Sequence, residues 1–534
     1  MLLLSDGTVL AERSGISSDW YRLTPDTNGS YVTGTWSTLA SMHSTRLYYS
    51  SQVLTNGRVF FAGAEYGTGW DTAEVYDPVS NAWTQITVPP GLLDTNNVVG
   101  SDGSDSAGFL DMISEILANG DVLMAPVGPA SCGETVIYSP DTNTCLQGPS
   151  VLNACDQDET SWVKLPDNSI LTIDPFGTET ERYIPSLNQW VEDATVSQDL
   201  WSTNDELGAG FLLPTGQVFF LGGNGQTALY APTGTSSPGT WTTGPTIPGG
   251  FGINDAPAAM MIDGNVLCAV GSATTYNAPT YFYEYNPFSN SFTQVSGPTG
   301  TSYNDSPYNT RMLDLPDGTV LFSDGDSSQL YEYRPTGSAL VAGVPTISNI
   351  TENADGSYLL TGTLLNGISE GAAYGDDAQM NSNYPIIRMT AGNGRVYFAR
   401  SFNWSSTGVM TGTNLVTTEF AVPAGLPVGT YSVVVVANGI SSAPFSLQIP
   451  TPQGPFQITS IVGTNANDLL ITWNTSGISN IVQVTAGTGA GGSFSPNDFT
   501  DLTNLVVTTA MTNFWDVGAA TNSPARYYRI RSPQ

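Results

Sequence analysis

The chain has one histidine, His43, and one lysine, Lys164, in 534 residues. A single imidazole excludes any site built from two or more histidines. A single lysine makes P-loop and Schiff-base chemistry poor candidates. Basic residues are scarce altogether, 14 against 47 acidic ones, for a formal charge of −33. That balance excludes nucleic acid, whose phosphates need a basic face, and docking on anionic lipid. Charged residues make up only 11% of the chain, so Ser, Thr, Asn, Gln and Gly must cover the surface. Hydrophobic residues at 40% and aromatics at 10% exclude an acidic disordered chain. Four cysteines are too few for a disulfide scaffold. Cys132, Cys145 and Cys155 fall in one stretch and are expected to supply one bridge, whose pairing the spacing leaves open. Cys268 sits in an apolar strand pattern and reads as a buried free thiol. No apolar run approaches the ~20 residues of a membrane helix, so membrane insertion is not expected. Met1-Leu2-Leu3-Leu4 runs at once into Ser5-Asp6-Gly7 and does not read as a signal peptide. The Thr-, Ser- and Asn-rich composition still looks extracellular, so a secreted or cell-surface chain starting downstream of its export signal is expected.

What is present is a repeat. The phrases LLLSDGTVL, QVLTNGRVF, EILANGDVL, VKLPDNSIL, FLLPTGQVF, MMIDGNVL and LDLPDGTVL recur, with turn residues Gly7, Gly57, Gly120, Asn168, Gly216, Gly264 and Gly318. Asp-Gly and Asn-Gly suit tight hairpins because both central positions can take positive φ. About 20 residues after each turn a Tyr-x-Pro follows: Tyr76/Pro78, Tyr138/Pro140, Tyr183/Pro185, Tyr230/Pro232, Tyr285/Pro287 and Tyr333/Pro335, with Leu23/Pro25 in the first copy. Proline cannot donate to a ladder and belongs at a strand end. The unit is a four-stranded blade of about 50 residues, the kelch period.

The expected fold is all-β: a seven-bladed kelch-type propeller over 1–343, an immunoglobulin-like sandwich over 344–449, a stiff Pro-rich linker at 450–455, and a small C-terminal β-sandwich domain over 456–534. Blade one begins inside its innermost strand. Residues 337–343 are expected to complete it; otherwise an open ladder edge invites self-assembly.

Propeller blades start at one mouth of the central channel, so equivalent positions can be compared. Eight or nine residues ahead of each turn stand Tyr48, Asp111, Glu159, Glu206, Asp255 and Tyr308. The four carboxylates are the candidate metal ligands and the candidate acid–base groups, because clustered acids repel unless a cation or shared protons relieve them. Oxygen donors without nitrogen or sulfur favour Ca²⁺. Asp158, Asp305, Asp376 and Asp377 adjoin this register, and Arg46 is the basic residue expected nearby. His43 reads as a solvated loop histidine. Tyr66, Trp70, Trp162, Trp201 and Trp404 are the aromatics available to stack on sugar rings. The same four carboxylates have a plain structural alternative, capping strands and joining blades.

The run from Arg46 through Tyr48 and Asn56-Gly57 to Phe60, continuing to Glu74-Val75-Tyr76-Asp77-Pro78 and Trp83, resembles galactose oxidase and its glyoxal-oxidase relatives. The resemblance covers about residues 1–449 and implies the same order of kelch propeller and immunoglobulin-like domain. In that family copper is held by a cysteine-crosslinked tyrosine, an axial tyrosine and two histidines, with an aromatic over the crosslink. The resemblance puts the crosslinked tyrosine on Tyr48, the stacking aromatic on Tyr66, and the axial Tyr-His pair on Tyr308-Asn309 before Leu315-Pro316-Asp317-Gly318. The second histidine falls between Tyr374 and Met380, with Gln379 as its counterpart, and the cysteine falls at or before Met1. Both tyrosines remain and both histidines are replaced, so copper is not expected. Three functions follow as expectations: a glycan- or polysaccharide-binding or -processing protein with an acidic mouth, a structural or filament-forming surface protein, and a residual copper-radical oxidase.

Overall fold

The computed structural model describes residues 1–92, 109, 111–129, 131–353, 355–375, 383–449, 457–463, 467–474, 480–486, 496–506, 511–519 and 526–531. The linker at 450–455 and Asp376, Asp377 and Gln379 lie outside the described residues. The chain is all-β and divides into two compact units. One holds Met1–Ile350, Leu359–Pro423 and Ser432–Phe445; the other holds Thr351–Tyr358, Ala424–Tyr431 and Ser446–Gln534.

In the first unit, small antiparallel sheets succeed one another along the chain, most of them four-stranded, an arrangement consistent with a propeller. Their first strands lie side by side: Ser50–Val53 against Ile113–Ile116, Val163–Lys164 against Leu207–Leu212, and Ala258–Met260 against Thr310–Asp314. The Thr310–Asp314 strand also meets Leu2–Leu3, bringing the last of these sheets to the first. The first sheet is itself four-stranded, Leu2–Leu3, Val9–Glu12, Trp20–Thr24 and Thr35–Thr38, with no strand from residues 337–343. The expected completion from that segment does not occur, and the motive for self-assembly through an open first blade goes with it. Two inner strands shortened to Leu2–Leu3 and their partner suffice, since Leu2 pairs with Leu10 and Leu3 with Val9. The first unit also contains the antiparallel strands Ile386–Ala391, Val396–Phe402 and Val416–Ala421. In the second unit, two three-stranded sheets enclose the buried residues Ile471, Trp473 and Val482.

The repeated turn differs in type from the expected tight hairpin. Gly7 N–H donates to the Leu4 carbonyl at 2.9 Å, and Leu4 N–H to the Thr8 carbonyl at 2.7 Å, so the loop has three residues. Only the glycine is left-handed, with φ 74° at Gly7, and Asn168 takes the same role at φ 64°. The reason is the Asp side chain: Asp6 Oδ1 accepts the Thr8 N–H at 3.0 Å, which holds a turn followed by a bulge. Asn56, Asp167, Asp263 and Asp317 repeat that bond two residues on.

The Tyr-x-Pro signature has a shared physical basis. The hydroxyls of Tyr76, Tyr138, Tyr183 and Tyr285 donate to Asn81, Asn143, Asn188 and Asn290, five residues later, at 2.8–3.0 Å. Each asparagine is left-handed, so the phenol locks the turn between the two outer strands. Between sheets the rings stack, Phe60 on Tyr138 at 4.2 Å and Phe219 on Tyr285 at 3.9 Å. Cys132 and Cys155 form the one expected bridge, while Cys145 and Cys268 are buried free thiols. A disulfide agrees with an extracellular setting. No helix among the described residues is long and apolar enough to cross a membrane.

Candidate functional site at the acidic mouth

The register deduced from the repeat is visible in the backbone. Tyr48, Asp111, Glu159 and Asp255 all have left-handed backbones, with φ between 32° and 56°. In the fifth sheet the left-handed residue is Asp205, one position ahead of Glu206. The slip has a local cause. The register shifts between Leu207 and Gly210, where Leu207 pairs with Gly222 but Gly210 with Phe220. Tyr308 stands instead in a single 3₁₀ turn, Pro307–Asn309.

These positions bring the carboxylates together. Oxygens of Glu159, Glu206 and Asp255 lie within 4.8 Å of one another, and so do those of Asp111, Asp158 and Glu159. Glu159 belongs to both groups. Glu206 is 4% exposed; one carboxylate oxygen accepts the Tyr276 hydroxyl, and the buried Oε2 meets no donor. Burial, and then the negative charge of Asp255, push the Glu206 carboxyl up to about 9. Burial also raises Asp255, and it raises Asp158 to about 6 with help from Asp156 and Asp255. Glu65 is pushed up to about 7, first by burial and then by the charges of Asp255 and Asp158. The cluster therefore holds protons near neutrality, because several like charges cannot all be desolvated together.

An aromatic wall adjoins the acids. Tyr276 meets Tyr308 edge-on at 5.8 Å between ring centres, and Tyr48 meets Tyr66 at 6.2 Å. The Arg311 guanidinium lies 4.1 Å from the Tyr374 ring centre and 5.9 Å from that of Tyr48, while its Nη1 donates to the carbonyl oxygens of Tyr308 and Thr310. A cavity of about 360 Å³ is lined by Glu12, Tyr48, Tyr49, Tyr308, Asn309 and Arg311. Glu12 accepts the Tyr49 hydroxyl at 2.5 Å, and burial pushes its carboxyl up to about 8. At neutral pH that carboxyl can donate a hydrogen bond as well as accept one.

Several expected residues are elsewhere. Arg46 is fully buried and its guanidinium is bound to Glu74 at 3.2 Å and to three backbone carbonyls, so the basic group acting on Asp255 is Arg311. His43 is not merely solvated: its Nδ1 is 2.7 Å from Glu74 Oε2. Asp305 accepts from the Asn309 amide and stays outside both carboxylate groups. Trp162, Trp201 and Trp404 are core residues, Trp162 against Trp190 and Trp404 stacked on Tyr384, and do not offer faces to a sugar. Trp70 is half-buried. Sequence reasoning missed Glu65, Asp156, Glu12, Tyr276 and Arg311. Arg311 and Glu65 carried a signal, one following the Tyr308 register and the other preceding Tyr66, whereas Tyr276 comes from a loop with no repeat position.

No family model matches the chain, and no curated protein does. Solved structures do. One of them is a copper-bound alcohol oxidase. That structure, a fungal alcohol oxidase of the AA5 family in complex with copper, is 13% identical, with 84% of this chain and 96% of that chain covered and a TM-score of 0.49. Virginiamycin B lyase from Staphylococcus aureus is 11% identical, covering 59% of this chain and 91% of its own, at a TM-score of 0.36. YCF48 from Cyanidioschyzon merolae is 13% identical, covering 62% and 97%, at 0.39.

Proposed function

We propose that this is a secreted or cell-surface protein that binds or processes a glycan at the acidic mouth of a seven-bladed propeller, with an immunoglobulin-like sandwich at 344–449 and a further β domain at 456–534. The supporting observation is the convergence of Glu159, Glu206 and Asp255 within 4.8 Å beside tyrosine rings. Carboxylates that accept from hydroxyls, and flat rings that pack on C–H faces, are the two chemistries a sugar needs. The adjoining cavity of about 360 Å³ has room for one or two sugar units. A hard cation such as Ca²⁺ suits this donor set, which has oxygen and neither nitrogen nor sulfur. A glycan array probed with the protein in Ca²⁺ and in EGTA is the test. In Ca²⁺, binding that Glu206→Gln reduces at least about tenfold is expected, since a cation beside it would keep the carboxylate ionised and a hydrogen bond to a charged group is worth roughly 1.5–3 kcal/mol. An array without hits in either condition would sink the reading.

The same reading holds copper-radical chemistry to be lost. The donors beside Tyr48 and Tyr308 do not fit copper. The chain's one imidazole is bonded to Glu74, the Asn309 amide donates to Asp305, and Arg311 sets a permanent positive charge beside Tyr48. Cu(II) prefers nitrogen ligands, and a fixed cation opposes a second one. After incubation with Cu²⁺ and desalting, the protein is expected to retain no stoichiometric copper and to make no peroxide from galactose or glyoxal. A tyrosyl-radical absorbance would show the opposite.

A further inference from the structure

The last sheet of the first unit is one strand short. Thr310–Asp314, Val320–Asp324 and Tyr331–Tyr333 pair in order, and among the described residues no strand lies beyond Tyr331–Tyr333. In four earlier sheets the outermost strand sets an aromatic directly opposite the repeat tyrosine. Trp83 lies on Tyr76, Trp190 on Tyr183, Trp241 on Tyr230 and Phe292 on Tyr285, with ring centres 4.9–5.7 Å apart. Those four tyrosines are buried, whereas Tyr333 is only half-buried. The position that would supply its partner is Leu340, seven residues on, as Trp83 follows Tyr76. Leu340 is held elsewhere: its N–H donates to the Ile262 carbonyl, in the turn of the sheet before, at 2.8 Å.

Both flanks of this edge lack cover. On one side a cavity of about 170 Å³ lies against Leu267 and Phe282 of the sheet before and Phe322, Tyr331 and Tyr333 of the last sheet. An apolar cavity of roughly 150 Å³ holds one benzene ring. On the other side stands Trp36. Trp20 meets Trp83 of the second sheet at 5.7 Å, so Leu23, three residues on, faces away from that sheet and towards the last one. Trp36 is directly opposite Leu23 and shares its face. It is 46% exposed, where Trp83, Trp190 and Trp241 are at most 8%.

We propose that the Tyr331–Tyr333 edge takes an extended segment of a partner protein as its fourth strand. The segment runs antiparallel, with an aromatic residue opposite Tyr333 and a basic residue shortly after it. Main-chain hydrogen bonds to an open edge supply the pairing, and the side-chain cavity selects the residue. The outer strands of the other sheets describe what fits: Thr-Trp-Ser-Thr, Ala-Trp-Thr-Gln, Gln-Trp-Val-Glu, Thr-Trp-Thr-Thr and Ser-Phe-Thr-Gln. The basic residue follows from charge complementarity. Glu332 and the exposed Asp326 outnumber Arg334 along this strand and the loop that enters it, in a chain of formal charge −33. Residues after the aromatic run towards Tyr331 and that loop, as Thr84 and Gln85 run past Val75 and Glu74. The acidic mouth plays no part in this inference.

The probe is a labelled, end-capped peptide, Ser-Asn-Ala-Trp-Thr-Lys-Ile-Thr, which copies residues 80–87 with lysine in place of Gln85. Its binding to the full chain is followed by fluorescence anisotropy, and hydrogen exchange reads the amides of residues 330–334. Saturable binding that slows exchange there is expected. Replacing the peptide's tryptophan by alanine should weaken binding at least about tenfold, because a buried aromatic anchor carries much of such an interface. Replacing its lysine by glutamate should weaken binding more at low salt than at high. In the protein, Phe60, Phe219 and Leu267 are register counterparts, each one residue past the strand partner of a repeat tyrosine. Leu267→Phe should therefore fold, as circular dichroism verifies, while narrowing the cavity and weakening the peptide. Equal binding of the alanine peptide, or no saturation up to about 1 mM, overturns the proposal. A dimer by sedimentation whose 330–334 amides already exchange slowly overturns it too, by placing a second copy on this edge. An empty glycan array would sink the glycan reading and leave the strand site standing.

Discussion

Arg46→Met is expected to lower the free energy of unfolding by about 3–5 kcal/mol, the usual consequence of removing one partner of a buried ion pair. Arg46 and Glu74 are both fully buried. Arg46 Nη1 donates to the carbonyls of Gly63, Gly69 and Thr72 at 2.5–3.1 Å, and Nη2 to Thr72 Oγ1 at 3.0 Å and Glu74 Oε1 at 3.2 Å. The methionine replaces volume but none of these donors, so three carbonyls and a carboxylate lose a hydrogen-bond partner. Burial alone would raise Glu74, yet the N–H and N bonds from His43, with the Arg46 charge and the Ser44 N–H, hold it below its ordinary value. Stability from that depressed carboxyl is present above the unfolded pKa and is lost as pH falls through the folded one. The loss caused by Arg46→Met should therefore be largest near neutrality and shrink in acid. Guanidinium unfolding of the parent, Arg46→Met, Glu74→Met and the double variant gives the coupling. The double variant is expected to be less destabilised than the two singles added together. Additive losses would show that the pair does not act as a unit.

Asp314→Asn should raise stability, and increasingly so with pH. Asp314 ends the Thr310–Asp314 strand, is 3% exposed, and has neither carboxyl oxygen hydrogen-bonded. Met260, Met261, Ile262, Leu315 and Val320 surround that stretch. Burial holds its carboxyl well above the ordinary range, with no compensating charge. A group raised in the folded state contributes stability below its unfolded pKa, about 3.9 for Asp, and that contribution is lost as pH rises towards the folded pKa. The loss runs at about 1.4 kcal/mol per pH unit, because the unfolded chain releases a proton that the folded chain keeps. The amide has the same shape and nothing to ionise. Thermal midpoints of parent and variant should nearly coincide at about pH 4 and diverge steadily towards pH 8, with the variant higher. A constant offset across that range would mean that Asp314 is charged in the folded protein. The comparison within one background cancels the acidic mouth, whose raised carboxyls tilt both curves the same way.

Much of the local design is legible in the residues themselves. The Asp-Gly phrase determined where each inner hairpin turns, because the Asp carboxylate and the left-handed glycine act within four residues. The Tyr-x-Pro signature determined the outer turn in the same way, since the phenol reaches an asparagine only five residues on. Counting back from those turns placed Asp111, Glu159, Glu206 and Asp255 at one register, and a chain with one histidine could not build a multi-imidazole site. Only the tertiary structure decided which charges meet. Arg46 and Arg311 both lie within three residues of a mouth tyrosine, yet one turns inward to Glu74 and the other stands over Tyr374. Glu65 and Tyr276 reach the mouth from loops whose lengths follow no repeat, Glu12 comes from the end of the Val9–Glu12 strand, and the extra residue in the Leu207–Leu212 strand shifts Glu206 off the shared backbone geometry. Trp162, Trp201 and Trp404 are buried by neighbours distant in the chain. Turns depend on contacts a few residues apart, which a short window contains. The mouth depends on loops and sheets hundreds of residues apart, whose meeting is settled only when the sheets pack side by side.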